Sequence, residues 1–152
     1  MSAYSTVARE THAGRRWRMP EDWLFIGDAG LVPCSITEAA ALATALPLVF
    51  RKDQGYWHLD ALLRLSGGAT SPLITKDGAW LASQMPHILR AYPFSMSSDG
   101  KLAVAEASGL ADVAEGNAYF DESGGLAPRL EAIAQSLGAW NASLSVTQAA
   151  IM

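Results

Sequence analysis

Cys34 stands directly before Ser35-Ile36-Thr37-Glu38, and no other placement in the chain points as directly to a nucleophile. A Ser followed three residues later by a Glu is a capping box, so a helix starts just beyond the thiol. The positive end of that helix's dipole would favour the thiolate form. A catalytic thiolate also needs a base. His58, with Asp60 two residues on to orient it, completes the Cys34, His58 and Asp60 set that can be nominated, since such triads are recognised by geometry and not by chain order. The competing reading is that an isolated cysteine is a small buried hydrophobe, so no catalytic residue is assigned.

Metal chemistry has less support. The histidines at 12, 58 and 87 have neither a His-x-His nor a His-Glu-x-x-His spacing, so a site would have to be assembled from distant segments. Neither a metal nor any other cofactor is expected. There is no phosphate-loop pattern, and Gly27-Asp28-Ala29-Gly30 reads as a turn.

Recognition chemistry is better represented. Arg15, Arg16, Trp17 and Arg18 form a basic run with an aromatic inside it, and Trp80 and Tyr92 lie further along. Arg pairs with carboxylates through a planar fork, and Trp, Tyr and Arg dominate protein interfaces. These residues are expected to form a surface for a peptide or protein partner, with Asp28 accepting hydrogen bonds from the Arg15–Arg18 segment. The bland alternative is that most of the aromatics fill the core.

The elements that must position these residues can be read from punctuation and periodicity. Residues 1–11 are small and polar and are expected to fray. A short strand is expected at Trp23–Ile26, an extended piece at Leu31–Pro33, and the capped helix from Ser35 towards Leu46, ended by Pro47. Leu48–Phe50 and Tyr56–Leu59 flank a polar turn, a β-hairpin pattern, and a second hairpin is expected around Asp77-Gly78. A short helix follows Pro86, strand material flanks Asp99-Gly100, and Pro128 opens a last helix with Leu130, Ile133, Ala134 and Leu137 on one face. Short strands joined by tight turns, with helices between hairpins, imply an α+β class: an antiparallel sheet of short hairpins packed by about three helices. The expected organisation is one domain over residues 12–141, with 142–152 a helical extension or a frayed tail.

Bulk properties agree with a packed domain. Half of the 152 residues are hydrophobic and 17% are charged, far from a disordered composition. The net charge of −4 argues against a nucleic-acid partner, whose phosphates call for excess Lys and Arg. The basic run contrasts with residues 99–131, where seven acids face Lys101 and Arg129, and the two regions are expected to meet each other or solvent. The longest apolar stretch, Ala39–Phe50, is broken by Thr44 and Pro47, so no membrane span is expected. One cysteine and no apolar leader suggest a cytoplasmic protein.

The order His12-Ala13-Gly14-Arg15-Arg16-Trp17-Arg18, Gly27-Asp28-Ala29, Val32-Pro33, Asp77-Gly78-x-Trp80-Leu81, Pro86 and Arg90-Ala91-Tyr92-Pro93-Phe94 resembles the SapC-like family. Ser108-Gly109-Leu110 and Phe120-Asp121-Glu122-x-Gly124 are in keeping with it. The family takes its name from a bacterial S-layer protein locus. The resemblance implies a non-enzymatic accessory or binding role tied to surface-protein or outer-membrane receptor systems, and it carries over no catalytic residues. Relatives typically continue beyond the helix holding Leu130–Trp140, so the C-terminal third is expected to be absent or diverged. Self-association into a homodimer through that helix is a third reading, beside the binding module and the Cys34 enzyme.

Overall fold

A computed structural model describes residues 3–27, 29–65 and 71–151. It is an α+β protein, and among the described residues the antiparallel strands divide among three small sheets. Contacts gather the chain into two compact units, Met1–Pro20 with Ala91–Asn141, and Glu21–Arg90 with Ala142–Met152.

The first unit begins with β1 (Tyr4–Thr6), which lies in the stretch read from sequence as frayed. Its partner is β7 (Leu102–Ala105), whose other edge is taken by β6 (Phe94–Met96), giving the order β1-β7-β6. All four residues of β7 are buried, as a central strand covered on both faces should be. The turn joining β6 to β7 is closed by the Ser97 amide donating to the Lys101 carbonyl at 2.9 Å. Gly100 there adopts φ 77°, a left-handed conformation that glycine takes without a Cβ penalty. After β1 come α1 (Arg9–His12) and β2 (Arg16–Trp17), which pairs with β8 (Asn117–Ala118) as a second small sheet. Helix α4 (Pro128–Ile151) supplies Leu130 and Leu137 as fully buried residues, with Ile133 and Ala134 half-buried.

The second unit is built on a sheet of order β3-β5-β4, comprising β3 (Leu31–Pro33), β4 (Leu48–Asp53) and β5 (Tyr56–Leu62). The hairpin turns at Gln54-Gly55, and its register sets Phe50 opposite Leu59 and Lys52 opposite Trp57. Helix α2 (Ile36–Leu42) starts at the capping box. The Ser35 amide donates to Glu38 Oε1 at 3.0 Å, while Glu38 Oε2 accepts the His87 amide at 2.8 Å at the start of α3 (His87–Arg90). One carboxylate thus satisfies the orphan amides of two helix starts. Val32, Cys34, Leu42, Leu46, Leu59, Ala61 and Leu63 form the core, with Ile151 packed against it.

Further local expectations change, and α2 itself stops at Leu42, short of the expected Leu46. Trp23–Ile26 is not a strand; Leu24–Ile26 is a 3-10 turn. Asp22 Oδ1 accepts the Leu24 amide at 3.0 Å, an Asx-type bond that bends the chain where a strand would have to stay extended. Around Asp77-Gly78 the expected second hairpin shrinks to a single bridge, Ile74 to Trp80. Gly78 has φ 90°, and a Cβ there would press into the Asp22 side chain, so glycine is required on both counts. Residues from Ala142 continue α4 as helix to Ile151. Among the described residues no helix is long and apolar enough to cross a membrane.

Candidate functional site

The three residues nominated for nucleophilic chemistry do not come together as a working set. Cys34 is 1% exposed and belongs to the core with Leu59 and Ala61. Side chains alternate faces along a strand, so His58 and Asp60 of β5 point to the face opposite Leu59. The thiol donates to the Leu59 carbonyl at 3.5 Å, and burial, followed by the nearby charges of Glu38 and Asp60, pushes its pKa up to about 12. That is the reverse of an activated cysteine. Asp60, itself 1% exposed, accepts Arg51 Nε at 2.6 Å, and Arg51 Nη1 also reaches Asp53 at 3.1 Å. The carboxylate is therefore held by a guanidinium.

A direct check follows from the thiol. Iodoacetamide should label Cys34 far more slowly in the native protein than after denaturation. The unfolded thiol ionises near about 8.5, whereas the folded one keeps its proton to about 12. Its contribution to stability is therefore complete below the unfolded value and is lost as pH rises through that window. Native labelling at the rate of a free thiol at neutral pH would refute the burial.

The basic segment is ordered and sorted by its strand. Trp17 is 0% exposed, a core residue and not part of a contact surface as its sequence neighbours had suggested. Its indole N–H donates to the Ala118 carbonyl at 3.1 Å, and its ring meets Phe94 edge-to-face at 4.8 Å. Arg16, which precedes it in β2, and Arg18, which follows the strand, are both exposed. Arg16 Nη1 donates to the Gly116 carbonyl at 2.9 Å. Gly116 must be a glycine, because a Cβ there would collide with the Trp17 carbonyl.

Arg15 turns to the acidic segment instead. It pairs with Glu106 at 3.3 Å and Asp112 at 3.7 Å, so the basic and acidic stretches do meet. Glu106 also accepts the Ser5 hydroxyl at 2.6 Å and lies 2.9 Å from His12 Nε2. The Ser5 hydroxyl does most to hold its carboxyl below the usual range, the His12 ring and Arg15 adding to the effect against partial desolvation. His12 is 1% exposed, with its Nδ1 3.1 Å from the Ala8 amide and its Nε2 2.9 Å from Glu106. It is a structural histidine at the base of the basic strand.

The remaining described nominees belong to different units. Tyr92 is half-buried in the first unit, whereas Trp80 belongs to the second, where its indole N–H donates to the Gln84 carbonyl at 3.1 Å. Asp28 lies outside the described residues. Among the described residues no three His, Cys, Asp or Glu side chains converge on a metal position. A cleft of about 210 Å³ lined by Leu24, Ser71, Ile74 and Lys76 is smaller than pockets for drug-sized ligands, which start near about 300 Å³.

Sequence reasoning passed over the β4–β5 hairpin as a surface. Phe50 and Tyr56 are each 61% exposed, Trp57 is 37% exposed, and the Lys52 ammonium lies 5.7 Å from the Trp57 ring centre. The signal was present: once the turn is placed at Gln54-Gly55, the register brings Phe50, Lys52 and Trp57 to one face.

A family model described as SapC matches residues 7–152. No curated protein and no solved structure matches the chain.

Proposed function

The chain belongs to the SapC family, and from that premise we propose that it is a non-enzymatic accessory protein that captures a peptide or protein partner through carboxylates. The observation that carries this reading is the segment around β2, where the fully buried Trp17 anchors the chain between two exposed arginines, Arg16 and Arg18. Guanidiniums on a pinned backbone lose little freedom on binding, and their forks match carboxylates. Arg15 contributes indirectly, its charge being spent on Glu106 and Asp112.

The partner falls, on the family resemblance, among surface-protein or outer-membrane receptor systems, and the contact takes place in the cytoplasm. A single free, buried thiol fits a reducing compartment.

The test is capture on immobilised protein from a lysate of the source cell, wild type beside the Arg16→Ala/Arg18→Ala variant. Loss of two interface arginines should reduce capture about tenfold or more, with circular dichroism unchanged, and the retained partner should elute with rising salt. Equal capture by both proteins would overturn the assignment.

A further inference from the structure

We infer that β4 is a self-association edge, and that two copies of this chain pair antiparallel through it about a two-fold axis, with Phe50 facing Phe50 at the centre.

The sheet β3-β5-β4 has two outer strands. The β3 edge carries Pro33, which has no amide hydrogen to offer. The β4 edge has no proline within Leu48–Asp53. Which of its backbone groups point outward follows from the ladder. Asp53 pairs with Tyr56 across a two-residue turn, and the Pro47 carbonyl accepts the Leu62 amide at 2.9 Å. Odd-numbered residues of β4 thus turn their backbone groups to β5, and Leu48, Phe50 and Lys52 turn theirs away. Among the described residues β4 has β5 as its only strand partner. An edge strand without a partner is a template for another strand.

The side chains select the occupant and the register. A two-fold axis perpendicular to the sheet keeps each face on its own side, so outward residues must meet outward residues. With Phe50 opposite Phe50, Leu48 meets Lys52 and Val49 meets Arg51, and every outward amide and carbonyl of Leu48, Phe50 and Lys52 finds a partner. Sliding one way sets Arg51 opposite Arg51 and then Lys52 opposite Lys52, each a like-charge pair, and sliding the other way, with Val49 opposite Val49, sets Lys52 opposite Leu46, beyond the end of the partner's β4. The central register avoids both. Arg51 is already held by Asp60 and Asp53, and Lys52 is folded onto Trp57, so neither cation guards the edge. Phe50, 61% exposed in the single chain, gains an aromatic neighbour across the axis.

The shared edge is short, so the interface is of the transient, concentration-dependent kind. This inference stands apart from the partner-capture reading, because it uses neither Arg16 nor Arg18.

The experiment is sedimentation equilibrium of the full chain from micromolar to millimolar, with Phe50→Lys as the interface variant. Wild type should approach twice the chain mass and Phe50→Lys should remain at one. A companion measurement uses Phe50→Cys under mild oxidation. Residues paired by hydrogen bonds across antiparallel strands lie about 5.5 Å apart at Cα, within disulfide range. Phe50→Cys should therefore cross-link to a dimer, whereas Tyr56→Cys, equally exposed, should not. A wild-type monomer at every concentration, a dimer that survives Phe50→Lys, or equal cross-linking at both positions would each overturn the proposal. Partner capture that persists in Phe50→Lys separates this outcome from that of the Arg16/Arg18 test.

Discussion

Trp17→Ala should lower stability by about 4 kcal/mol, the usual cost of emptying a core aromatic site, and reduce the Tm by roughly 10 °C. The side chain is 0% exposed, packs edge-to-face on Phe94 at 4.8 Å and lies 5.7 Å beneath the Arg129 guanidinium. Domains of this size hold only about 5–15 kcal/mol in all, so the variant should sit near the limit of folding. Trp17→Phe is the informative companion. It keeps an aromatic ring against Phe94 and loses the indole N–H that donates to Ala118 at 3.1 Å, at a cost of about 1–2 kcal/mol. Thermal unfolding followed by circular dichroism reads both. A Trp17→Ala protein that melts with wild type would refute the burial, and with it the reason Arg16 and Arg18 are held outward.

Thr147→Val should cost about 1–3 kcal/mol, although it changes neither shape nor charge. Thr147 is 2% exposed in the last part of α4, and its hydroxyl has two duties. It accepts the Ile36 amide at 2.8 Å and donates to the Ser143 carbonyl at 2.7 Å. Ile36 opens α2, and its amide is one of the donors a helix start leaves without an internal partner. Valine fills the same space and strands that donor. Urea unfolding should show a lower midpoint at an unchanged slope, and Thr147→Ser, which keeps the hydroxyl, should retain most of the difference. A valine variant as stable as wild type would mean that the C-terminal residues of α4 do not hold the start of α2.

Together these two expectations locate what supports the proposed surface and the core behind Cys34. The Arg16–Arg18 segment depends on an aromatic anchor inside the first unit. The residues once grouped as a nucleophile and its base depend on the second, where strand alternation assigns Cys34 to the core and gives Asp60 to Arg51. Asp60 is held at 2.6 Å by the Arg51 guanidinium.

Signals carried within a few residues were legible along the chain. The capping box Ser35-Ile36-Thr37-Glu38 starts α2, the polar turn at Gln54-Gly55 closes the β4–β5 hairpin, and Pro128 opens α4. The α+β class and the family pattern follow from such local punctuation and its order. Each depends on neighbours whose spacing alone brings them into contact. Burial and pairing answer to distant residues instead. Trp17 is core because Phe94 packs against it and Ala118, 101 positions away, accepts its N–H. Glu106, 94 positions from His12, decides that the histidine is structural, and it takes Arg15 out of the basic surface. A tryptophan between two arginines reads the same whichever face is covered. The fold chooses the face, because only the packed chain determines which side of β2 is withdrawn from water.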